Sequence, residues 1–184
     1  MLRILLALAM TLASFASLAQ EDAIATLEDG GKVLLIRHAR APGTGDPDNF
    51  VIDDCSTQRN LSEEGRRQAA ALGDRLRTNG IEVTEVLSSR WCRALDTARL
   101  AFGDDAVTPF EPLDSFFGDR GRRDGQTEAA RQRIAAFDGP GTLVMVTHQV
   151  NVTALTEIFP REGEAVVLEP TSEGFEVIGR VTFD

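Results

Sequence analysis

The sequence predicts an α/β fold, a three-layer α/β/α sandwich around a mainly parallel central sheet, and three observations carry that expectation. The runs KVLLIR (32–37) and GTLVMVTH (141–148) are short and almost continuously apolar, the pattern of strands covered on both faces. Segments of helical period separate the apolar runs, and strands alternating with helices build parallel sheets. The two histidines of the chain, His38 and His148, each follow one of these runs. In such folds ligands gather outside the carboxyl ends of the strands.

Along the chain, MLRILLALAMTLASFASLAQ places one basic residue before an apolar stretch, with Ser17 and Ala19 as small residues ahead of Gln20. This reads as a secretory signal peptide over 1–19, followed by one domain over 20–184. The apolar stretch is shorter than the roughly 20 residues a spanning helix needs, so the expectation is a secreted, periplasmic protein with no stable membrane insertion after cleavage. KVLLIR is then the first strand and a central one. The Gly-, Pro- and Asp-rich segment 41–60 is too polar for core and too long for an ordinary turn, the mark of a functional or mobile loop.

LSEEGRRQAAALGDRLRTNG (61–80) predicts a helix with Ser62 as N-cap, acids in the first turn, Ala69, Leu72 and Leu76 on the apolar face, and Asn79-Gly80 as the stop. VTEVLSS (83–89) reads as a strand and RWCRALDTARLAFG (90–103) as a helix ended by Gly103. Two prolines confine AVTPFEPL (106–113) to a sheet edge or an irregular path. A third helix is expected over 125–139, the strand GTLVMVTH follows, 150–159 is helical, and 164–170 with 174–183 closes the chain as a hairpin.

Asp and Glu number 29 against 19 Lys and Arg, a net charge of −10. Arg3 is the sole charged residue of the leader, so the domain carries −11. That balance repels nucleic acid and anionic lipid, and a phosphate site would have to be a local cluster of arginines. Cys55 and Cys92 in an oxidising compartment suit a disulfide; two buried thiols are the other reading. Oligomeric state is left open.

Arg37 beside His38 offers a planar fork of donors that grips phosphate and keeps its charge. A neutral imidazole is a nucleophile, and phosphoryl transfer asks mainly for alignment and for donors on the equatorial oxygens. Arg93, early in a helix that follows a strand end, reaches the same rim.

These residues resemble the histidine phosphatase superfamily, which includes the cofactor-dependent phosphoglycerate mutases. LIRHAR is similar to its Arg-His-Gly-type signature, RNLSEEGRRQA to its Leu-Thr-x-x-Gly helix start, SSRWCRALDTA to its Ser-Ser-x-x-x-Arg-Ala-x-x-Thr-Ala segment, and LVMVTHQVNV to the strand bearing its second histidine. The four blocks stand in family order between residues 33 and 154. In CSTQRNLS and THQVN the chain further resembles exported members associated with removing phosphate from lipopolysaccharide core heptose.

The resemblance implies a phosphoglycerate mutase-like fold and an exported, metal-independent phosphomonoesterase working through a phosphohistidine on His38. No cofactor is implied, and the partner is a small phosphorylated substrate, a sugar phosphate among the candidates. Arg37 and Arg93 would clamp the phosphate, with His148 adding a hydrogen bond. Arg40 departs from the acidic or polar residue many members carry. Arg40, Gln58, Arg59, Asn60 and Gln149 are candidates for lining the pocket. The general acid, a contribution of about 10²- to 10⁴-fold, is assigned by position to Asp114, with Glu111 second and Asp119 third. Gln149 stands where one branch of the family carries an Asp.

Two other readings compete. A phosphate-binding pseudoenzyme would keep the arginine cradle without an efficient acid. A metal enzyme would combine the histidines with Asp46 or Asp53, but no His-x-x-x-His or Cys-x-x-Cys spacing is present.

Overall fold

A computed structural model describes residues 23–183. The signal peptide expected over 1–19 lies outside the described residues. A six-stranded sheet has the order β3-β2-β4-β1-β5-β6. Strands β1 (Lys32–Arg37), β2 (Val83–Ser88), β3 (Val107–Pro109) and β4 (Thr142–Thr147) run parallel, while β5 (Glu164–Thr171) and β6 (Gly174–Thr182) form the antiparallel hairpin at one edge.

The sequence pattern explains why β1 and β4 are central. Val33 to Ile36 and Leu143 to Val146 are all fully buried, because alternate side chains feed two different cores. Leu34, Ile36, Val144 and Val146 pack on one face with Leu72 and Leu76 of α1 (Glu63–Thr78), Ala94, Ala98 and Ala101 of α2 (Cys92–Phe102), and the short helical segment 23–28. Val33, Leu35, Leu143 and Met145 pack on the other with Ala130 and Ile134 of α3 (Arg123–Ala135) and Val152 and Leu155 of α4 (Gln149–Thr156). These are the three layers expected. No helix among the described residues is long and apolar enough to cross a membrane.

Capping at Ser62 is as predicted: its side chain accepts from the amide of Gly65. Gly65 and Gly73 then do what helix propensity would not suggest. A methyl group at Gly65 would overlap the Arg40 carbonyl, and one at Gly73 the Ala101 carbonyl. The two glycines let α1 lie against the chain just beyond His38 and against the end of α2.

Boundaries differ from expectation at three helices. α2 starts at Cys92 rather than at residue 90, since Trp91 is extended (φ −64°, ψ 134°) and Arg90 turns toward Asp114. α3 begins two residues early, after a 3₁₀ turn (Arg120–Arg122) capped by Asp119, and ends at Ala135 rather than 139, ahead of the turn residues Asp138-Gly139-Pro140. α4 stops at Thr156 because Glu157 adopts the left-handed conformation (φ 63°), without the glycine that would have signalled it.

Candidate active site

The sheet register brings the histidines together. Arg37 of β1 pairs with Thr147 of β4, and the amide of His38 donates to the Thr147 carbonyl at 2.9 Å. His38 and His148 therefore leave neighbouring parallel strands at the same level, with ring centroids 5.4 Å apart and planes at 64°. Both are at least 97% buried and line a cavity of about 830 Å³ with Arg37, Arg59, Arg93 and Asp46.

His38 has an assignable tautomer. Its Nδ1 lies 2.8 Å from the Ala39 carbonyl, which can only accept, so Nδ1 carries the hydrogen and Nε2 keeps its lone pair. Arg93 Nε donates to that Nε2 at 3.3 Å, a second sign that Nε2 is bare. Burial, and then the positive charge of Arg93, hold the His38 imidazole neutral, its pKa well below 6.5. His148 is held neutral by the same causes in the same order.

Arg93 is itself buried. Its Nη1 and Nη2 donate to the two carboxylate oxygens of Asp46 at 2.7 and 3.2 Å. Asp46 also accepts from the indole N–H of Trp91 (3.0 Å) and the amide of Arg59 (3.2 Å). Hydrogen bonds and charge from Arg93, with the Trp91 bond, outweigh the cost of burial and keep the Asp46 carboxyl below its ordinary value of 3.8. Sequence reasoning considered Asp46 only as a metal ligand. Its position in a loop shared with three other aspartates gave no signal for a bidentate hold on the guanidinium.

Arg37 donates from Nη1 to the Pro160 carbonyl (3.0 Å), and its Nη2 lies 3.5 Å from Glu162. Two buried polar atoms of cavity-lining residues lack hydrogen-bond partners: Arg37 Nε and His148 Nδ1. Buried polar groups without partners are costly, and for the Arg37 Nε–H an oxyanion in the cavity is the chemistry that satisfies it.

The other candidates divide. Arg59 lines the cavity while bracing the loop through the Gly45 carbonyl (2.9 Å) and the Ala41 carbonyl. Gln149 lines it too and donates to Thr153 Oγ1 at 2.9 Å. Gln58 and Asn60 do not line it. Gln58 donates to the Val51 and Ile52 carbonyls and accepts from the Cys92 amide, and Asn60 donates to the Cys55 carbonyl, so both stabilise the loop. Arg40 pairs with Glu64 on the surface.

Asp114 is where the sequence expectation and the geometry part. Its side chain is fully buried, held by Arg90 Nε and Nη2 at 2.8 and 2.5 Å and by the Arg90 amide at 2.9 Å. It does not line the cavity, because the 3₁₀ turn Glu111–Leu113 folds it inward behind Ser89. Glu111 pairs with Arg122 and Arg90, also away from the cavity. Asp119, the third choice, does line it, with Oδ1 accepting from the Gly121 amide at 3.1 Å.

Cys55 and Cys92 form a disulfide, joining the loop to the first turn of α2 beside Arg93. Among the described residues no group of three or more His, Cys, Asp or Glu is placed to hold a metal.

Residues 33–116 match the family model described as "Histidine phosphatase superfamily (branch 1)". No curated protein sequence matches the chain. Among solved structures, the fold is similar to that of phosphoserine phosphatase from Entamoeba histolytica in complex with phosphoserine (TM-score 0.60, 15% identity, 83% of this chain and 98% of that one). It is also similar to YhfR of Bacillus stearothermophilus (0.61, 18%, 80% and 95%) and to the protein histidine phosphatase SixA complexed with tungstate (0.58, 16%, 82% and 96%). The two neutral imidazoles, with a guanidinium on one of them, lie in a fold whose residues 33–116 are similar to the histidine phosphatase superfamily, and the protein is a phosphatase.

Proposed function

We propose that the protein is an exported phosphatase that hydrolyses small phosphomonoesters, sugar phosphates among them, by way of a phosphohistidine on His38. The observation that carries this reading is the bare Nε2 of a neutral, buried His38 in a cavity where two further buried nitrogens have no partner. The N-terminal leader and the disulfide support export.

In the first step His38 Nε2 attacks phosphorus in line, the N–P bond forms and the ester P–O bond breaks. Arg37, Arg93 and His148 supply donors to the equatorial oxygens, Arg93 Nε giving up its contact with His38 Nε2 as that nitrogen bonds to phosphorus. The leaving oxygen takes its proton from Asp119, a cavity-lining carboxyl outside the Asp46–Arg93 ion pair. Water then gives a proton back to the Asp119 carboxylate and attacks phosphorus, the N–P bond breaks, phosphate departs, and Nε2 regains its lone pair.

The test is a brief, alkali-quenched reaction with a labelled phosphomonoester, run alongside steady-state turnover. Label bound to the wild type, lost in His38→Ala together with turnover, is expected. Phosphate release without label at His38, or binding without release, overturns the reading.

A further inference from the structure

A phosphoryl group fills only part of the cavity. At about 830 Å³ the space matches sites that take a whole small molecule. Besides the histidines and arginines, four aromatic side chains line it: Phe50 from the loop, Trp91 ahead of α2, Phe117 from the turn after Asp114, and Phe159 beyond α4. Phe50 stacks on Trp91 with ring centroids 5.0 Å apart and planes at 22°, and Trp91 meets His148 edge-on at 5.6 Å. That pair is a wall built directly beside the two imidazoles.

Phe117 and Phe159 are 48% and 69% exposed, and among the described residues they are the only exposed phenylalanines. Phe159 directly precedes Pro160, whose carbonyl accepts from Arg37. The Phe117 ring reaches across to the loop that carries Asp46, where a Cβ added at Gly45 would lie 3.8 Å from Phe117 Cε1. Exposed aromatic rings gathered at one opening mark a binding surface. Several polar residues beside them are already paired within the protein: Arg122 with Glu111, Gln149 with Thr153, and Ser115 with the Phe117 amide. Beyond its phosphate, a substrate therefore meets ring faces more than hydrogen-bonding groups.

We propose that Phe117 and Phe159, with the Phe50–Trp91 wall, form the site for the alcohol part of the substrate, and that this alcohol carries an apolar ring, an aryl group above all. The proposal rests on the phosphatase reading, which fixes the phosphoryl end at His38 and leaves the alcohol to the remaining lining.

Benzyl phosphate and glycerol 3-phosphate both release primary alcohols, so they make similar demands on a general acid and differ in the ring. The kcat/KM for benzyl phosphate is expected to be about tenfold to a hundredfold the higher, the range for taking a phenyl-sized group out of water, with glucose 6-phosphate between the two. Phe117→Ala and Phe159→Ala are each expected to cut that ratio about threefold or more. Leu100→Ala, an exposed α2 residue outside the cavity, should leave it unchanged. Binding is read apart from turnover with phosphonates, whose P–C bond is not hydrolysed, through the emission of Trp91, the single tryptophan of the chain. Benzylphosphonate is expected to bind tighter than methylphosphonate by a similar factor and to lose that advantage in the two Phe variants.

Equal kcat/KM for the benzyl and glycerol esters, a preference that survives both Phe substitutions, or glucose 6-phosphate ranking first overturns the proposal. So does a dimer that dissociates in Phe159→Ala with the substrate preference intact, which would assign the patch to a second copy of the chain. Tighter benzylphosphonate binding that the Phe variants lose, with neither ester hydrolysed, upholds the aromatic site and counts against the phosphatase reading alone.

Discussion

Asp46 holds Arg93 by both oxygens, Oδ1 2.7 Å from Nη1 and Oδ2 3.2 Å from Nη2, so the guanidinium beside His38 is partly neutralised by a loop carboxylate. A negative charge next to an anion site weakens anion binding by Coulomb repulsion. Asp46→Asn keeps an oxygen for Arg93 and removes the charge. Inorganic phosphate is therefore expected to inhibit the variant about tenfold more tightly, the equivalent of ~1.4 kcal/mol. An inhibition constant that stays level or rises contradicts this.

The neutrality of the two imidazoles has a direct readout. Both His38 and His148 have pKa values held well below 6.5, by burial first and by Arg93 second. The unfolded chain therefore binds more protons than the folded one as pH falls below about 6.5. Stability is complete above that pH and is lost as pH falls toward the folded values, at up to about 1.4 kcal/mol per pH unit for each ring. Urea midpoints recorded from pH 7 to pH 5 should fall, and the two histidine ring resonances should show no titration centred near 6.5. A midpoint at or above that value would remove the neutral nucleophile from the scheme.

Proton donation by Asp119 can be separated from its other contacts by the choice of substrate. A poor leaving group such as glycerol needs the proton, whereas p-nitrophenolate leaves without it. Asp119→Asn is expected to lower kcat for glycerol phosphate by about 10²-fold or more and to leave p-nitrophenyl phosphate within a few-fold. Equal losses on the two substrates would place Asp119 among the binding groups instead.

How much of this was legible in the sequence follows from the range of the interactions. The central strands and α1 were readable because apolar runs and the Ser62 cap are local signals, and the meeting of His38 and His148 followed from parallel topology alone. The cavity was not readable in detail. Asp114 stood at the right sequence position for an acid, yet the 3₁₀ turn before it and the guanidinium of Arg90 fold it away from the cavity. Asp46 reaches Arg93 across 47 positions of chain, through a loop with no period to read. The close approaches at Gly65 and Gly73 exist only in three dimensions, where the Arg40 and Ala101 carbonyls leave no room for a side chain.

The disulfide joins stability to the site. Cys92 opens α2 and is followed directly by Arg93, and Cys55 lies in the loop that also carries Asp46. Closing the span from Cys55 to Cys92, a sequence separation of 37, removes conformations from the unfolded chain. For such a loop the entropy model gives about 3 to 4 kcal/mol, which for a domain of this size corresponds to roughly 10 °C in melting temperature. Reduction also frees the loop that sets Asp46 on Arg93, so activity should fall under reducing conditions at temperatures where the protein is still folded. The paired variant Cys55→Ser with Cys92→Ser should reproduce both effects without any reductant. A melting temperature unmoved by reduction would show that the loop is held by Gln58 and Arg59 alone, whose hydrogen bonds to the Val51, Ile52, Gly45 and Ala41 carbonyls do not depend on the sulfurs.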